Sequence, residues 1–224
     1  MKKHLLACAI LAAGLISATA ARADSPQELV DSATLTLENM MEGTEGQQAQ
    51  NFLHKARAVV ICPNIFRAGF MIGGEGGDCV MAARAAGGSW SSPAFYNMGS
   101  GSFGLQIGVQ DAKVLMLVMT NGGLNALLNS HFKIGADAGI SVATLGAGVN
   151  GAMSTAVNAD ILTLSKSQGL YGGISLSGSV FSSDSNADLA YYGNAGDARE
   201  IVVEMKASNP GANPLRAMLT KFGG

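Results

Sequence analysis

Residues Ser165–Gly193 read SKSQGLYGGISLSGSVFSSDSNADLAYYG. Leu170, Ile174, Leu176 and Val180 fall on one parity, with Gly172 and Gly178 between them. Tyr171, Gly173, Ser175, Ser177, Ser179 and Phe181 fall on the other. A strand sends successive side chains to opposite faces, so this pattern predicts a long strand with one dry and one wet face. Asp184 to Tyr192 then predicts a short helix, with Asp184 or Ser185 as its cap.

The same period recurs upstream. Ala58 to Cys62 is a short apolar run ended by Pro63. Ile65 to Ile72 and Gly77 to Arg84 flank Gly73-Gly74-Glu75-Gly76, which reads as a hairpin turn. Phe103, Leu105, Ile107 and Val109 alternate with Ser102, Gly104, Gln106 and Gly108, and Phe132 to Val142 alternates in the same way. Lys113 to Met119 (KVLMLVM) is apolar on both parities and suits a central strand buried on both faces. Asp160 to Ser165 is a further strand, and Gly87-Gly88 turns the chain before Trp90.

Helices are expected mainly at the ends. Ser25-Pro26-Gln27-Glu28 is a capping box with Pro at the first helical position, opening a helix to about Glu42. Leu29, Val30, Ala33, Leu37, Met40 and Met41 form its apolar face, opposite Glu28, Asp31, Glu38 and Glu42. Further helical segments are Glu45 to Lys55, Asn121 to Asn129, Asp197 to Lys206, and one from Asn213-Pro214 to Phe222. The expected class is α+β: a strongly curved, mostly antiparallel, glycine-rich sheet, barrel-like or sandwich-like, with N-terminal and C-terminal helices packed on it. Thirty glycines among 224 residues suit such curvature, because Gly lets strands bend and backbones approach. An outer-membrane barrel shares the alternation but needs aromatic girdles, and aromatics make up only 6% of this chain.

Residues 1–23 read as a secretion signal. Lys2 and Lys3 precede the apolar run Leu5 to Ile16, and Ala21-Arg22-Ala23 is a small-x-small cleavage site. The run is shorter than the roughly 18–20 residues of a spanning helix. Cys8 comes too early in it for lipoprotein processing. The expected organisation is residues 1–23 signal, 24–55 N-terminal helices, 56–193 a β-rich domain and 194–224 its C-terminal helical segment, in a periplasmic protein. Removing Lys2, Lys3 and Arg22 from the 14 basic residues leaves 11 against 16 acidic ones, a formal charge of −5. Such a balance argues against nucleic acid as a partner. The N-terminal helix carries no Lys or Arg on its polar face, so packing on the domain's own core is the simpler role than lying on a membrane. Cys62 and Cys79 remain after cleavage. Export permits a disulfide between them, and two buried thiols are the alternative.

Enzymatic signals fail one by one. Gly99-Ser100-Gly101-Ser102-Phe103-Gly104 matches GxGxxG, but a strand follows where a helix must. Asp184-x-Asn186-x-Asp188 opens like a calcium loop, yet Leu189 stands at the glycine position and Ala195 at the final glutamate. There is no GxSxG. His54 and His131 have no indicated partner for hydrolase chemistry, and neither metal-ligand spacing nor a cofactor motif occurs. The basic residues Lys55, Arg57, Arg67, Arg84, Lys113, Lys133 and Lys166 are scattered. They read as solvated surface, or as a local anion site for phosphates or lipid head-groups.

Five segments in order carry a resemblance: Lys55-Ala56-Arg57-Ala58-Val59, Arg67-Ala68-Gly69-Phe70, Gly88-Ser89-Trp90-Ser91-Ser92-Pro93, Phe103 to Gly108 (FGLQIG), and Ser165 to Gly173 (SKSQGLYGG) with the closing Tyr191-Tyr192-Gly193. The chain from Lys55 to Gly193 resembles the SYLF (Ysc84-type) family, as a bacterial exported member. Gln168 stands where a second Lys is common in that family. The resemblance implies a non-enzymatic domain that binds phospholipids or a membrane surface. In eukaryotic members the ligands are phosphoinositides and the setting is membrane and actin dynamics. Here it implies envelope phospholipids as ligands. Arg67, Lys133 and Lys166 are its head-group candidates, and Trp90 and Tyr171 its interfacial aromatics. An envelope protein partner without lipid specificity is the alternative.

Overall fold

Ser25 caps the first helix as its sequence requires. Its Oγ accepts from Glu28 N, and the Glu28 carboxylate accepts from Ser25 N at 2.7 Å. Two amides that a helix N-terminus leaves free are thereby paired. A computed structural model of the chain describes residues 25–69, 72–103, 108–144, 159–168, 176, 178–194 and 196–224. Among these, α1 (Pro26–Met41) and α2 (Gly43–Leu53) precede four strands: β1 (Ala58–Gly69), β2 (Ile72–Ala83), β3 (Ala94–Phe103) and β4 (Gly108–Val118). Helix α3 (Asn121–Leu127) leads to β5 (His131–Lys133), β6 (Ile140–Thr144), β7 (Ile161–Gln168) and β8 (Val180–Ser183). The chain closes with α4 (Ser185–Tyr192), α5 (Ala198–Val202), a 3-10 turn (Pro210–Ala212) and α6 (Asn213–Gly223).

The strands form one strongly curled half-barrel sheet in the order β5-β8-β3-β2-β1-β4-β7-β6. Every described pairing between these strands is antiparallel except β6 with β7. The class is α+β, as the alternation predicted.

Both faces of the sheet are buried over its centre. On one face Val59, Ile61, Val80, Ala82, Phe95, Leu115, Leu117, Leu162 and Leu164 meet Leu29, Val30, Ala33, Leu37, Met40 and Met41 of α1, together with α2 and α6. This is the apolar arc read from α1. On the other face Val60, Cys62, Ile65, Cys79, Met81, Val114, Met116 and Ile161 meet Phe132, Phe181, Leu127, Ile201 and Val202. Strand β4 lies between β1 and β7 and is buried on both sides, which explains its continuous apolar run.

Arg84 joins the helices to the sheet. Its guanidinium donates to Leu53 O at 3.0 Å, Ala56 O at 3.2 Å and Gly223 O, and lies 4.4 Å from the Trp90 ring centroid. The last carbonyls of two helices thus share one cation, whose planar fork suits several acceptors at once.

Four local expectations are corrected. Pro63 does not end a strand. Strand β1 runs through it, and its pairing with both β2 and β4 shifts by one residue there. A bulge is where a central strand can hold a residue without an N–H. Gly73-Gly74-Glu75-Gly76 is not a turn but part of β2, paired with Gly69, Ala68, Arg67 and Phe66 across the sheet. The close backbone approach comes one residue later, where a Cβ on Gly77 would lie 2.3 Å from Asn64 O at the bulge.

The Phe132–Val142 alternation is not one strand. Gly135 turns the chain at φ +84°, and the two halves become β5 and β6, at opposite edges of the sheet. Finally, the alternation from Leu170 to Phe181 is interrupted. Leu170–Ser175 and Ser177 lie outside the described residues. Gly178 is left-handed at φ +88°, a conformation that glycine adopts without strain. Before it Leu176 is buried; after it Phe181 is buried and Val180 is 37% exposed. Ser179 N donates to Leu176 O across this turn, and the buried positions after it are Ser179 and Phe181, so the dry side of β8 carries Phe181 rather than Val180.

Cys62 and Cys79 are fully buried and joined as a disulfide, with Cα atoms 4.2 Å apart on β1 and β2.

Candidate functional site

The bulge in β1 shapes the cleft. It brings Pro63 and Asn64 beside Asp111, Ala112 and Lys113 of β4, with Asn39 from the last turn of α1 and Lys166 of β7 completing the walls. The cleft has a volume of about 390 Å³.

Its central feature is a like-charge pair. Lys113 and Lys166 are direct partners in the antiparallel β4–β7 register. By strand alternation both share the face of Leu115, Leu117, Leu162 and Leu164, just past the apolar contact with α1. Lys113 is half-buried and Lys166 exposed. Like charges directly opposite across two strands are destabilising by themselves, so the arrangement favours an anion between them. The ion pairs among the described residues are Arg67–Glu75 and those of Lys206 with Glu200 and Glu204. None of them engages Lys113, Lys166 or Asp111. Two amide side chains, Asn39 and Asn64, add neutral donors. The cleft can therefore hold an anionic oxygen cluster by charge and hydrogen bonding.

The residues singled out from the sequence do not converge. Lys166 lines the cleft. Lys133 is exposed on β5, at the far end of the strand order, with its amide donating to Asp137 Oδ2 at 2.6 Å. The Arg67 side chain is 17% exposed. Its Nε lies 3.0 Å from Glu75 Oε2, on paired positions of β1 and β2, without the alignment of a straight hydrogen bond. Glu75 also accepts from Ser179 Oγ at 3.3 Å. Burial pushes the Glu75 carboxyl above its ordinary range, and the Arg67 charge opposes this. Arg67 is thus committed to a buried carboxylate. Trp90 is 1% exposed, packed under Arg84 and α6, with its carbonyl accepting from Arg216 Nε at 2.8 Å. It does not present its ring at the surface. Tyr171 lies outside the described residues.

Asn39, Asn64 and Asp111 carry no motif, and Lys113 reads in the sequence as one scattered cation. Only the strand register places it against Lys166. His54 follows α2 and His131 opens β5, and neither forms an ion pair among the described residues. No group of three or more His, Cys, Asp or Glu suited to a metal occurs among the described residues. No helix among them is long and apolar enough to cross a membrane.

A second buried carboxylate sits away from the cleft. Asp188 of α4 is 1% exposed, and its Oδ1 accepts from Phe95 N at 3.1 Å. Burial, with the nearby Asp184 charge, pushes it up to about 7.

Comparison with known proteins covers most of this architecture. The family model described as Ysc84, Las17-binding protein actin regulator, matches residues 99–222, from within β3 to the end of α6. The chain is 25% identical over 190 residues to LAS seventeen-binding protein 3 of Saccharomyces cerevisiae, covering 84% of this chain and 41% of that protein. It is 26% identical over 140 residues to SH3 domain-containing YSC84-like protein 1 of Xenopus laevis, covering 62% of this chain and 42% of that one. Protein YSC84 of Saccharomyces cerevisiae is 25% identical over 170 residues, covering 75% and 36%. The chain spans about two fifths of the length of these curated relatives. With the family model matched over more than half its length, this chain belongs to the Ysc84 family.

Proposed function

We propose that this protein is a non-enzymatic phospholipid-binding module, and that the cleft between β4 and β7 receives the head-group phosphate. The observation that carries the reading is the direct pairing of Lys113 with Lys166, both without an ion-pair partner among the described residues. A phosphodiester oxygen placed between two ammonium groups relieves their repulsion. The compartment we propose is the periplasm. Residues 1–23 support it, and the Cys62–Cys79 disulfide is compatible with an oxidising environment.

Relatives named for binding LAS seventeen support a second reading, a protein-docking module. The test is flotation of the chain from Asp24 with vesicles of phosphatidylglycerol and phosphatidylethanolamine, at low and high salt. Retention that falls with salt and with Lys113→Gln or Lys166→Gln, but not with Lys133→Gln, is expected. Folded protein that ignores vesicles of every composition would sink the lipid reading and leave the protein-docking one.

A further inference from the structure

The cleft is not uniformly basic. Asp111 lines it together with Lys113 and Lys166. Asp111 and Lys113 stand two apart on β4, so they share a face, at a separation of roughly 6.5–7 Å along the strand. Asp111 pairs with Gln168, the next same-face position on β7 after Lys166. No ion pair among the described residues joins Asp111 to either lysine. One wall therefore offers two positive charges and the adjoining position one negative charge, with no direct ion pair between them.

We propose that Asp111 makes the cleft selective for a zwitterionic phosphoethanolamine head-group, with the phosphate on Lys113 and Lys166 and the primary ammonium on Asp111. This rests on the lipid reading above. The ethanolamine ammonium is joined to its phosphate by a short ethylene arm, so a phosphate between the lysines brings it within reach of the neighbouring carboxylate. A primary ammonium has three N–H donors, which Asp111 and the side-chain oxygens of Asn39 and Asn64 can accept. A glycerol head-group offers no positive charge to Asp111 and leaves that carboxylate facing the phosphate. A choline head-group keeps the charge but has no N–H to donate.

The experiment uses the chain from Asp24 and phosphatidylcholine vesicles in which an equal fraction is replaced by phosphatidylethanolamine or phosphatidylglycerol. Binding should favour the phosphatidylethanolamine vesicles by about two- to fivefold, the range an exposed charge pair supplies. Asp111→Asn should abolish that preference, chiefly by strengthening binding to phosphatidylglycerol. Lys113→Gln and Lys166→Gln should weaken both. Soluble glycerophosphoethanolamine should displace the protein from vesicles better than glycerophosphoglycerol, which ties the preference to head-group chemistry rather than to the bilayer.

Lysine-dependent binding with equal affinity for both lipids, unchanged by Asp111→Asn, overturns the selectivity and leaves the lipid reading standing. Binding that ignores both lysines overturns the two together. Asp111 is exposed on the sheet surface. Its replacement by Asn is therefore not expected to disturb folding, which unchanged circular dichroism and denaturation would verify.

Discussion

Arg67 and Glu75 face each other on β1 and β2, their charged groups 3.0 Å apart and largely buried. This pair accounts for the one charged residue that lies within a glycine-rich run of β2. A carboxylate held at 2% side-chain exposure needs a compensating charge, and the guanidinium supplies it.

Arg67→Ala should therefore destabilise the fold by about 3 kcal/mol, because it strands a buried carboxylate. Without Arg67 the Glu75 carboxyl is raised further, so it protonates at higher pH. A raised carboxylate costs stability above its folded pKa and ceases to do so as pH falls through it. The deficit of Arg67→Ala should thus be larger at pH 7 than at pH 5, as read by urea denaturation. Vesicle flotation by the variant at permissive temperature should be unchanged, since the pair lies outside the cleft.

Lys113 and Lys166 should behave in the opposite sense. Removing one of two directly opposed cations relieves repulsion, so Lys166→Gln should match or exceed the wild-type stability, by up to about 1 kcal/mol at low ionic strength. Added salt should erase the difference, because exposed charges are screened within roughly 10 Å at 0.1 M. Denaturation midpoints at two salt concentrations check this. A stability gain coupled to a loss of ligand binding is what a residue kept for binding would show.

Asp188 should tilt stability against alkaline pH. Its folded pKa of about 7 lies above the unfolded value, so the native state holds the extra proton between the two. Its contribution should decline as pH rises from about 4 to about 7 and be flat beyond. Asp188→Asn keeps an oxygen for Phe95 N and removes the charge. The variant should gain on wild type at pH 8 and not at pH 4. Equal pH profiles for the two proteins would show that Asp188 titrates in the ordinary range.

Reduction of the Cys62–Cys79 bond, or Cys62→Ser with Cys79→Ser, should cost about 3 kcal/mol, given the 17-residue separation of the cysteines. Because both sulfurs are buried, reduction of the native protein should require denaturant. Thiol trapping with and without urea would show it.

What the sequence determined by itself was local: the capping box at Ser25 and Glu28, the apolar arc of α1, the alternation of most strands, the central character of β4, and the cap at Asp184. These depend on residues within a few positions of one another, and their physics needs no partner. The tertiary structure decided which strands are neighbours. Alternation assigns a side chain to a face but carries no information about the strand beside it, so Lys113 and Lys166, 53 positions apart, became partners only through the β4–β7 register. The same holds for Arg67 with Glu75, and for the separation of β5 from β6. Two residues misled the local reading for one reason. Pro63 and Gly178 look like strand ends or strand members by composition, yet one sits in a bulge and the other in a turn. In the stretch SKSQGLYGGISLSGSVF, the core after the turn at Gly178 takes Phe181 rather than Val180, a choice made by the packing of Phe181 against Phe132 across β8 and β5.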